Sequence, residues 1–501
     1  MAEITIGSRK IGDGHPAYII AEMSANHAGS IERAKEIIRA AKEAGADCIK
    51  IQTYTPDTMT INCDNEYFQI GKGLWEGDNL YRLYQKAYTP WEWQRELKEE
   101  AEKVGIDFFS TPFDKTSVDF LEDIGVDFYK IASFELVDIP LLEYVASKGK
   151  PMIVSTGMGS LEEINDAIKA IESQGNCQYA FLKCSSAYPA ISEEMNLATM
   201  VDMKERFKVP IGLSDHSLGS LGAVTAVAMG ACIIEKHFCI SREIENPDAA
   251  FSMTKDEFKQ MVKDIRDAEK ARGVAKYGVS EQEKDNIGFR RSIFVVKDIK
   301  KGDVFDETNI KVIRPAYGIK PKFYKDILGQ RATRDISFGN PLKMEMIDKK
   351  EVYLRDAVPN DVDILYDWVN DPICKKNFFT SHIITIEEHK AWFDRKINDK
   401  ECKIFIACIY DVNIGQIRLE TEGNNIYVSY SIDERYRGNG YGIDILKLAE
   451  IEIRQNINSE FNLVGKVKKE NIASIKCFEA CNYDMVEEEQ YLKFVKKMSI
   501  K

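Results

Sequence analysis

Little in this sequence suits a membrane span, a nucleic-acid grip or a disulfide framework. The longest apolar stretch, LGAVTAVAMGACII, is broken by glycines and is too short to span a bilayer. The opening MAEITIGSRKIG has no apolar core of the kind a secretory leader needs, so a cytoplasmic protein is expected. Lys and Glu are intermixed at a net charge of -13, with no basic stripe, which makes nucleic acid and anionic membrane surfaces poor partners. An anionic substrate would need a locally basic pocket. The eleven cysteines are scattered and include no CxxC pair. Cys48, Cys184 and Cys232 fall inside strand-like runs and read as reduced core residues. A nucleophile at Cys184 is the competing reading, against which an apolar strand tends to keep a thiol protonated. There is no low-complexity tract, and histidine is scarce, at six residues.

What the chain does have is a rhythm. Eight short apolar runs recur over its first half, and nearly every one ends in a charged or hydrogen-bonding residue. They are AYIIAEM closing near Glu22, DCIKIQ with Lys50 and Gln52, DFFSTP reaching Thr111, and FYKIAS with Lys130 and Ser133. Then come PMIVST at Ser155, YAFLKCS near Lys183 and Ser185, VPIGLSDH reaching Asp215 and His216, and CIIEKHF with Glu235 and His237. Continuous apolar runs alternating with amphipathic segments such as IERAKEIIRAAKEAGAD are the mark of repeated βα units. Eight units in roughly 250 residues predict an α/β fold, a (β/α)8 TIM barrel with its active site at the C-terminal ends of the strands.

A chain of 501 residues exceeds one core. The barrel is expected over 1–272, followed by a charged, glycine-bearing linker over 273–290. A small β-rich module with Gly-Asp turns follows over 291–348, and a mixed α+β domain over 352–501.

His216 and His237 lie at the mouth ends of adjacent late strands, where two imidazoles can share one metal. Glu22, on the first strand, becomes their neighbour when the barrel closes, giving two nitrogens and a carboxylate suited to Mn, Zn or a similar divalent ion. Glu22 is then a ligand through water or an acid/base. The competing reading is a pair of hydrogen-bonded mouth histidines. Lys50 and Lys130 sit inside apolar runs, where an unpaired ammonium is costly, so each must face an anion. Three readings are open: a phosphate or carboxylate ligand held with Ser133, Ser155 and Ser214; a Schiff base; or internal salt bridges. Thr111 and Gln52 add neutral donors.

The segments IAEMSANHAGS, KIQTYTPDT, FFSTPFD, YKIASFE, STGM, CSSAYP, GLSDHS and EKHF, in this order, resemble the sialic acid synthase family. The β-rich module resembles that family's antifreeze-like (SAF) domain. AEMSANHAGS, QTYTPDT, GLWEGDNLYRLYQKAYTPWEW and PDAAFSM look most like the family's pseudaminic acid synthase branch. The resemblance implies condensation of phosphoenolpyruvate with an open-chain amino sugar, 2,4-diacetamido-2,4,6-trideoxy-L-altrose for that branch, releasing phosphate. It implies a divalent metal at His216 and His237, Mn2+ before Mg2+ or Co2+, and Glu22 as the group that orients water. Lys50, Thr111, Lys130, Ser133, Ser155, Ser186 and Ser214 would hold phosphoenolpyruvate; Gln52, Tyr188 and Asp248 would contact the sugar. Ser186 departs from the amide side chain more usual in the neuraminate branch. Arg314, by itself an exposed loop residue, matches an arginine that the SAF domain delivers into the partner's barrel, which implies a domain-swapped homodimer.

In the last domain, RYRGNGYG places Arg437, Gly438, Gly440 and Gly442 ahead of an amphipathic helix, leaving backbone N–H groups free for a pyrophosphate. With NIASIKCFEACNYDMVEEE downstream, the segment resembles GNAT N-acetyltransferases, which implies acetyl-CoA as cosubstrate and contacts from Asn471 and Ser474. Phe478 stands where many members carry a tyrosine that protonates the departing thiolate, with Tyr483, Cys477 or solvent as substitutes. The whole reads as a bifunctional enzyme of nonulosonic acid biosynthesis, its GNAT domain acetylating a UDP-linked 4-amino sugar. The alternatives are an N-acetylneuraminate or legionaminate synthase with an inactive or unrelated GNAT domain, a metal-dependent pyruvate aldolase, and a nonenzymatic sugar-binding scaffold.

Overall fold

The computed structural model describes residues 3–71, 75–379, 382–456 and 460–498. It divides into two compact units, Met1–Lys276 and Tyr277–Lys501. No helix among the described residues is long and apolar enough to cross a membrane.

The first unit is a closed parallel barrel of eight strands, as the rhythm predicts. They are β1 (Tyr18–Glu22), β2 (Cys48–Thr53), β3 (Asp107–Pro112), β4 (Tyr129–Ile131), β5 (Met152–Ser155), β6 (Tyr179–Cys184), β7 (Ile211–Asp215) and β8 (Ile233–His237). β8 closes on β1 with His237 opposite Glu22, and Glu22 in turn pairs with Lys50 of β2. A two-stranded ribbon, Glu3–Ile6 with Arg9–Gly12, precedes the barrel, and its Ile4, Ile6 and Ile11 join the interior core.

Two hydrophobic layers separate by strand alternation. Ile19, Ala21, Ile49, Ile51 and Ile234 face the helices, while Tyr18, Ile20, Cys48, Phe109, Phe128, Ile153, Leu182 and Ile233 fill the interior. The period of two then carries each interior column upward into a polar residue: Ile20 to Glu22, Cys48 to Lys50 to Gln52, Phe109 to Thr111, Phe128 to Lys130, Ile153 to Ser155, and Ile233 to Glu235 to His237. The apolar floor and the polar mouth are successive layers of the same columns.

The second unit holds two parts with one continuous core. In the first part β9 (Ser292–Val295) pairs antiparallel with β10 (Ile310–Ile313), and single bridges such as Ile299 to Ile336 tie the loops. The second part is a seven-stranded sheet of β11 (Tyr353–Asp356), β12 (Cys402–Ile409), β13 (Val412–Glu422), β14 (Asn425–Ile432), β15 (Phe461–Val467), β16 (Asp484–Glu487) and β17 (Leu492–Met498), in the order β11-β12-β13-β14-β15-β17-β16. β14 and β15 pair in parallel only over Asn425–Val428 and Asn462–Gly465, leaving the end of each unpaired with the other. That divergence opens the sheet.

The seam between the two parts was not expected from composition. Ile293, Phe305 and Ile327 share a core with Phe405, Ile409 and Ile414. The turn from β12 to β13 is Tyr410-Asp411, both at positive φ (50° and 62°). Asp411 accepts from Lys320 (2.8 Å) and Lys322 (2.6 Å) and from the Tyr353 hydroxyl, and Tyr410 packs its ring on Phe323 at 5.2 Å.

Candidate active sites

Charge is concentrated at the barrel mouth, where Glu22, Lys50, Lys130 and Glu235 are all buried. Lys50, 4% exposed, bridges two carboxylates, with Nζ 3.0 Å from Glu22 Oε2 and 3.0 Å from Glu235 Oε1. Lys130 donates to Ser155 Oγ (2.6 Å) and to the Ile131 carbonyl (2.9 Å), and its Nζ lies 3.9 Å from Glu235. Ser214 donates to the same Glu235 Oε1 at 3.0 Å. Glu235 therefore gathers both lysines and a serine. The anion that each buried lysine requires is thus supplied from within the chain by Glu22 and Glu235.

Protonation follows from this sharing. Burial pushes Glu22 up to about 7, with Lys50 pulling against it and Glu235 adding to it. Burial would raise Glu235 too, but Lys130 and Lys50 overcome it and hold Glu235 at about 2. Of the coupled pair, Glu235 stays ionised and Glu22 is the one that exchanges a proton near neutrality. Lys50 is held above the usual lysine range by its two carboxylates despite burial. Burial brings Lys130 down to about 8.

The two histidines face one another, ring centroids 5.5 Å apart. Burial holds His216 at about 4 and drives His237 well below its ordinary value, so both are neutral imidazoles. His216 Nδ1 lies 2.8 Å from the Ser185 carbonyl, which assigns the proton to Nδ1 and leaves the Nε2 lone pair inward, 3.4 Å from Ser214 Oγ. His237 Nδ1 is buried with no hydrogen-bond partner among the described residues. Two neutral imidazoles, one with an orphaned nitrogen and the other fixed by a backbone carbonyl, suit a divalent cation. Among the described residues no three His, Cys, Asp or Glu side chains cluster as a complete ligand set, so water or substrate would supply the remaining ligands.

Around this centre Gln52 donates to Glu22 Oε1 (3.0 Å) and Ser24 Oγ (3.1 Å). Thr111 Oγ1 is buried and unpartnered among the described residues. Ser133 and Ser186 share a hydrogen bond of 3.0 Å, and Gly157 presses on it. At φ +48° a Cβ on Gly157 would stand 2.4 Å from Ser133 Cβ and 2.8 Å from Ser186 Oγ, so only glycine fits the STGM turn. Tyr188 lays its ring 4.3 Å from His216, and Asp248 accepts from the Ala25 N–H at 3.1 Å. Burial raises the Asp248 carboxyl. Arg314 is exposed in the second unit, just past β10. Two carboxylates escaped the sequence reading as site residues. Glu235 was legible as the inward neighbour, two positions before His237. Glu135, in the short helix Ser133–Val137, is pushed to about 7 by burial and leaves Oε2 unpartnered among the described residues; nothing in its local pattern marks it.

The second site is a cavity of about 960 Å3 along the diverging β14 and β15, lined among others by Trp368, Trp392, Tyr430, Gly440, Ser474 and Phe478. Gly438 and Gly440 take left-handed φ of 79° and 84° just before the helix Tyr441–Asn456. Gly442 stands so close to Cys477 that a Cβ would lie 2.9 Å from its sulfur. Asn471 caps the helix Ile472–Ala480 by accepting from the Ser474 N–H at 3.2 Å. Arg437 lines the cavity but is tethered: Nη2 donates to Asp371 at 2.6 Å and Nε to the Ile432 carbonyl at 3.0 Å, leaving Nη1 unpartnered among the described residues.

The NeuB family model matches residues 37–277, the SAF domain model residues 290–348, and the acetyltransferase (GNAT) domain model residues 351–484. The chain is 50% identical over 326 residues to the pseudaminic acid synthase of Campylobacter jejuni, covering 65% of this chain and 95% of that protein. It is 45% identical over 336 residues to the pseudaminic acid synthase of Helicobacter pylori, covering 67% and 98%. The crystal structure of N-acetylneuraminic acid (sialic acid) synthetase from Leptospira borgpetersenii superposes with a TM-score of 0.52 at 33% identity, over 57% of this chain and 95% of that one. The chain accordingly belongs to the NeuB family of sialic-acid-synthase-like enzymes, and carries beyond its SAF domain a GNAT acetyltransferase domain.

Proposed function

We propose that the barrel condenses phosphoenolpyruvate with 2,4-diacetamido-2,4,6-trideoxy-L-altrose to give pseudaminic acid and phosphate. The observation that carries the chemistry is the pair of buried lysines, Lys50 and Lys130, converging on Glu235 within a ring of hydroxyls. An incoming phosphate and carboxylate compete for these lysines with carboxylates that are already there. Lys50, Lys130, Thr111, Ser133, Ser155, Ser186 and Ser214 hold the anionic ends. Gln52, Tyr188 and Asp248 contact the sugar, and Arg314 reaches it from the partner of a homodimer. His216 and His237 would hold a divalent cation, Mn2+ first, which when bound supplies Lewis acidity at the sugar aldehyde. The C3 carbon of phosphoenolpyruvate attacks that aldehyde, leaving positive charge at C2. Glu22, balanced near pH 7, takes a proton from the water that captures C2 before phosphate leaves. The likeness to the Campylobacter and Helicobacter pseudaminic acid synthases supports this sugar over the manno-configured ones.

The GNAT domain, on this reading, transfers the acetyl group of acetyl-CoA to the 4-amino group of a UDP-linked amino sugar, an earlier step toward the same diacetamido sugar. Phosphate release from phosphoenolpyruvate tests the first half, with the altrose and N-acetylmannosamine offered in parallel. Turnover with the altrose alone supports pseudaminate synthesis; preference for N-acetylmannosamine keeps the family and overturns the sugar.

A further inference from the structure

The acetyltransferase cavity lacks a phenol on the helix Ile472–Ala480, where Phe478 stands. The Phe478 ring is 2% exposed and packs on Phe494 (5.1 Å) and Tyr483 (5.0 Å). Its para carbon lies against β15, 2.4 Å from where a Cβ of Gly465 would stand. A hydroxyl at that position would run into the strand, so the site is sterically closed to tyrosine in this packing. Tyr483 is no replacement. It sits behind Phe478 with Lys496 over its ring at 5.3 Å, and is not among the residues that line the cavity.

Tyr430 does line it, from β14 at the point where β14 and β15 have parted. Its hydroxyl lies 3.1 Å from Ser474 Oγ, in the first turn of the helix Ile472–Ala480. A Cβ on Gly442, in the first turn of the helix Tyr441–Asn456, would stand 3.6 Å from that hydroxyl oxygen. The phenol thus sits where the two helix N-termini and the strand divergence meet. Tyr427, Tyr436 and Tyr441 also line the cavity, but among the described residues Tyr430 is the one hydrogen-bonded to the helix whose own phenol is missing.

We infer that Tyr430 is the catalytic acid of acetyl transfer, delivering from β14 the proton that position 478 cannot. The inference rests on the acetyl-transfer reading above. The acceptor nitrogen attacks the thioester carbonyl and the C–N bond forms. The C–S bond then breaks with its electron pair on sulfur, Tyr430 gives its hydroxyl proton to that sulfur, and the proton shed by the acceptor nitrogen restores the phenol. Acetyl-CoA and amine become amide and free CoA thiol, with nothing further consumed.

The test measures CoA thiol release by the full chain with two nucleophiles, the UDP-linked 4-amino sugar and hydroxylamine, in wild type, Tyr430→Phe and Tyr483→Phe. Tyr430→Phe should lower kcat about 10²-fold with both nucleophiles while acetyl-CoA affinity by calorimetry stays within threefold. Tyr483→Phe, away from the cavity lining, should remain within a few-fold of wild type. Across a series of fluorinated tyrosines at 430, kcat should track the acidity of the phenol, which a purely structural tyrosine would not do. Wild-type release with hydroxylamine but not the sugar overturns the acceptor alone and leaves Tyr430 tested. Silence with both overturns acetyl transfer and this inference together. Active Tyr430→Phe, or a kcat indifferent to fluorination, overturns Tyr430 alone.

Discussion

The barrel mouth and the acetyltransferase cavity handle polarity in opposite ways. At the mouth, Lys50 lies within hydrogen-bond reach of Glu22 and Glu235 and Lys130 stands 3.9 Å from Glu235, all four with almost no exposure. The cavity of the second unit is a wide cleft walled largely by aromatic and aliphatic side chains; Arg437, which lines it, is tied back to Asp371. A reaction that must hold a phosphate ester and a carboxylate through charge development needs fixed charges, and low dielectric makes them effective. Transfer from a neutral thioester needs shape, backbone donors for a pyrophosphate and one well-placed proton. On the proposed reading, the two halves of the chain match the charge of each site to the charge of its substrate.

If that contrast is right, deleting a charge should break one site and spare the other. Lys130→Ala is expected to lower phosphate release by about 10²- to 10³-fold, the scale of losing one preorganised charge donor, with acetyl transfer unchanged; equal loss of both activities in paired assays would dissolve the contrast. Gly440→Asp should act in reverse. It places a side chain at φ 84° and a carboxylate beside the pyrophosphate, so acetyl-CoA affinity should fall at least tenfold by calorimetry while phosphate release holds.

Chelation sharpens the comparison further: dialysis against a chelator should stop phosphate release and leave acetyl transfer intact. The neutral histidines set a pH window for metal retention. Because burial holds His216 at about 4, metal content after equilibration should be flat from pH 8 to near 5 and fall as pH drops through about 4, where the imidazole takes a proton instead. A smaller effect is expected at the alkaline side. With Lys130 at about 8, its charge is present below that pH and lost above it, so KM for phosphoenolpyruvate should be level to pH 7.5 and rise severalfold by pH 9. An unchanged KM across that range would remove Lys130 from the anion site.

Much of the mouth was legible because strand alternation is a local rule. Once Cys48 and Ile20 are interior, Lys50 and Glu22 must be interior too, and the eight polar strand ends converge by closure. What the residues could not disclose was the pairing across the barrel. Lys50 and Lys130 each demanded an anion, but that Glu235 serves both depends on the register of β8 against β7, where Glu235 falls opposite Ser214. The same limit hid Tyr430. Its importance arises from a divergence of two strands and from the steric closure at Gly465, both properties of tertiary packing. Likewise the glycines ahead of Tyr441 announced a phosphate loop, whereas the tether of Arg437 to Asp371 spans 66 positions.

The Tyr410-Asp411 turn carries one more implication. A two-residue hairpin turn with both residues at positive φ is ordinarily made by Asn-Gly, and a bulky side chain there costs about 1 kcal/mol or more. This hairpin keeps tyrosine and aspartate, and both reach out of the sheet to grip the SAF part. The acetyltransferase part is therefore not a bead hung on a string after the SAF part. A chain severed near residue 350 would inherit an unmatched apolar face and a strained turn that has lost both of its lysine partners and its ring contact.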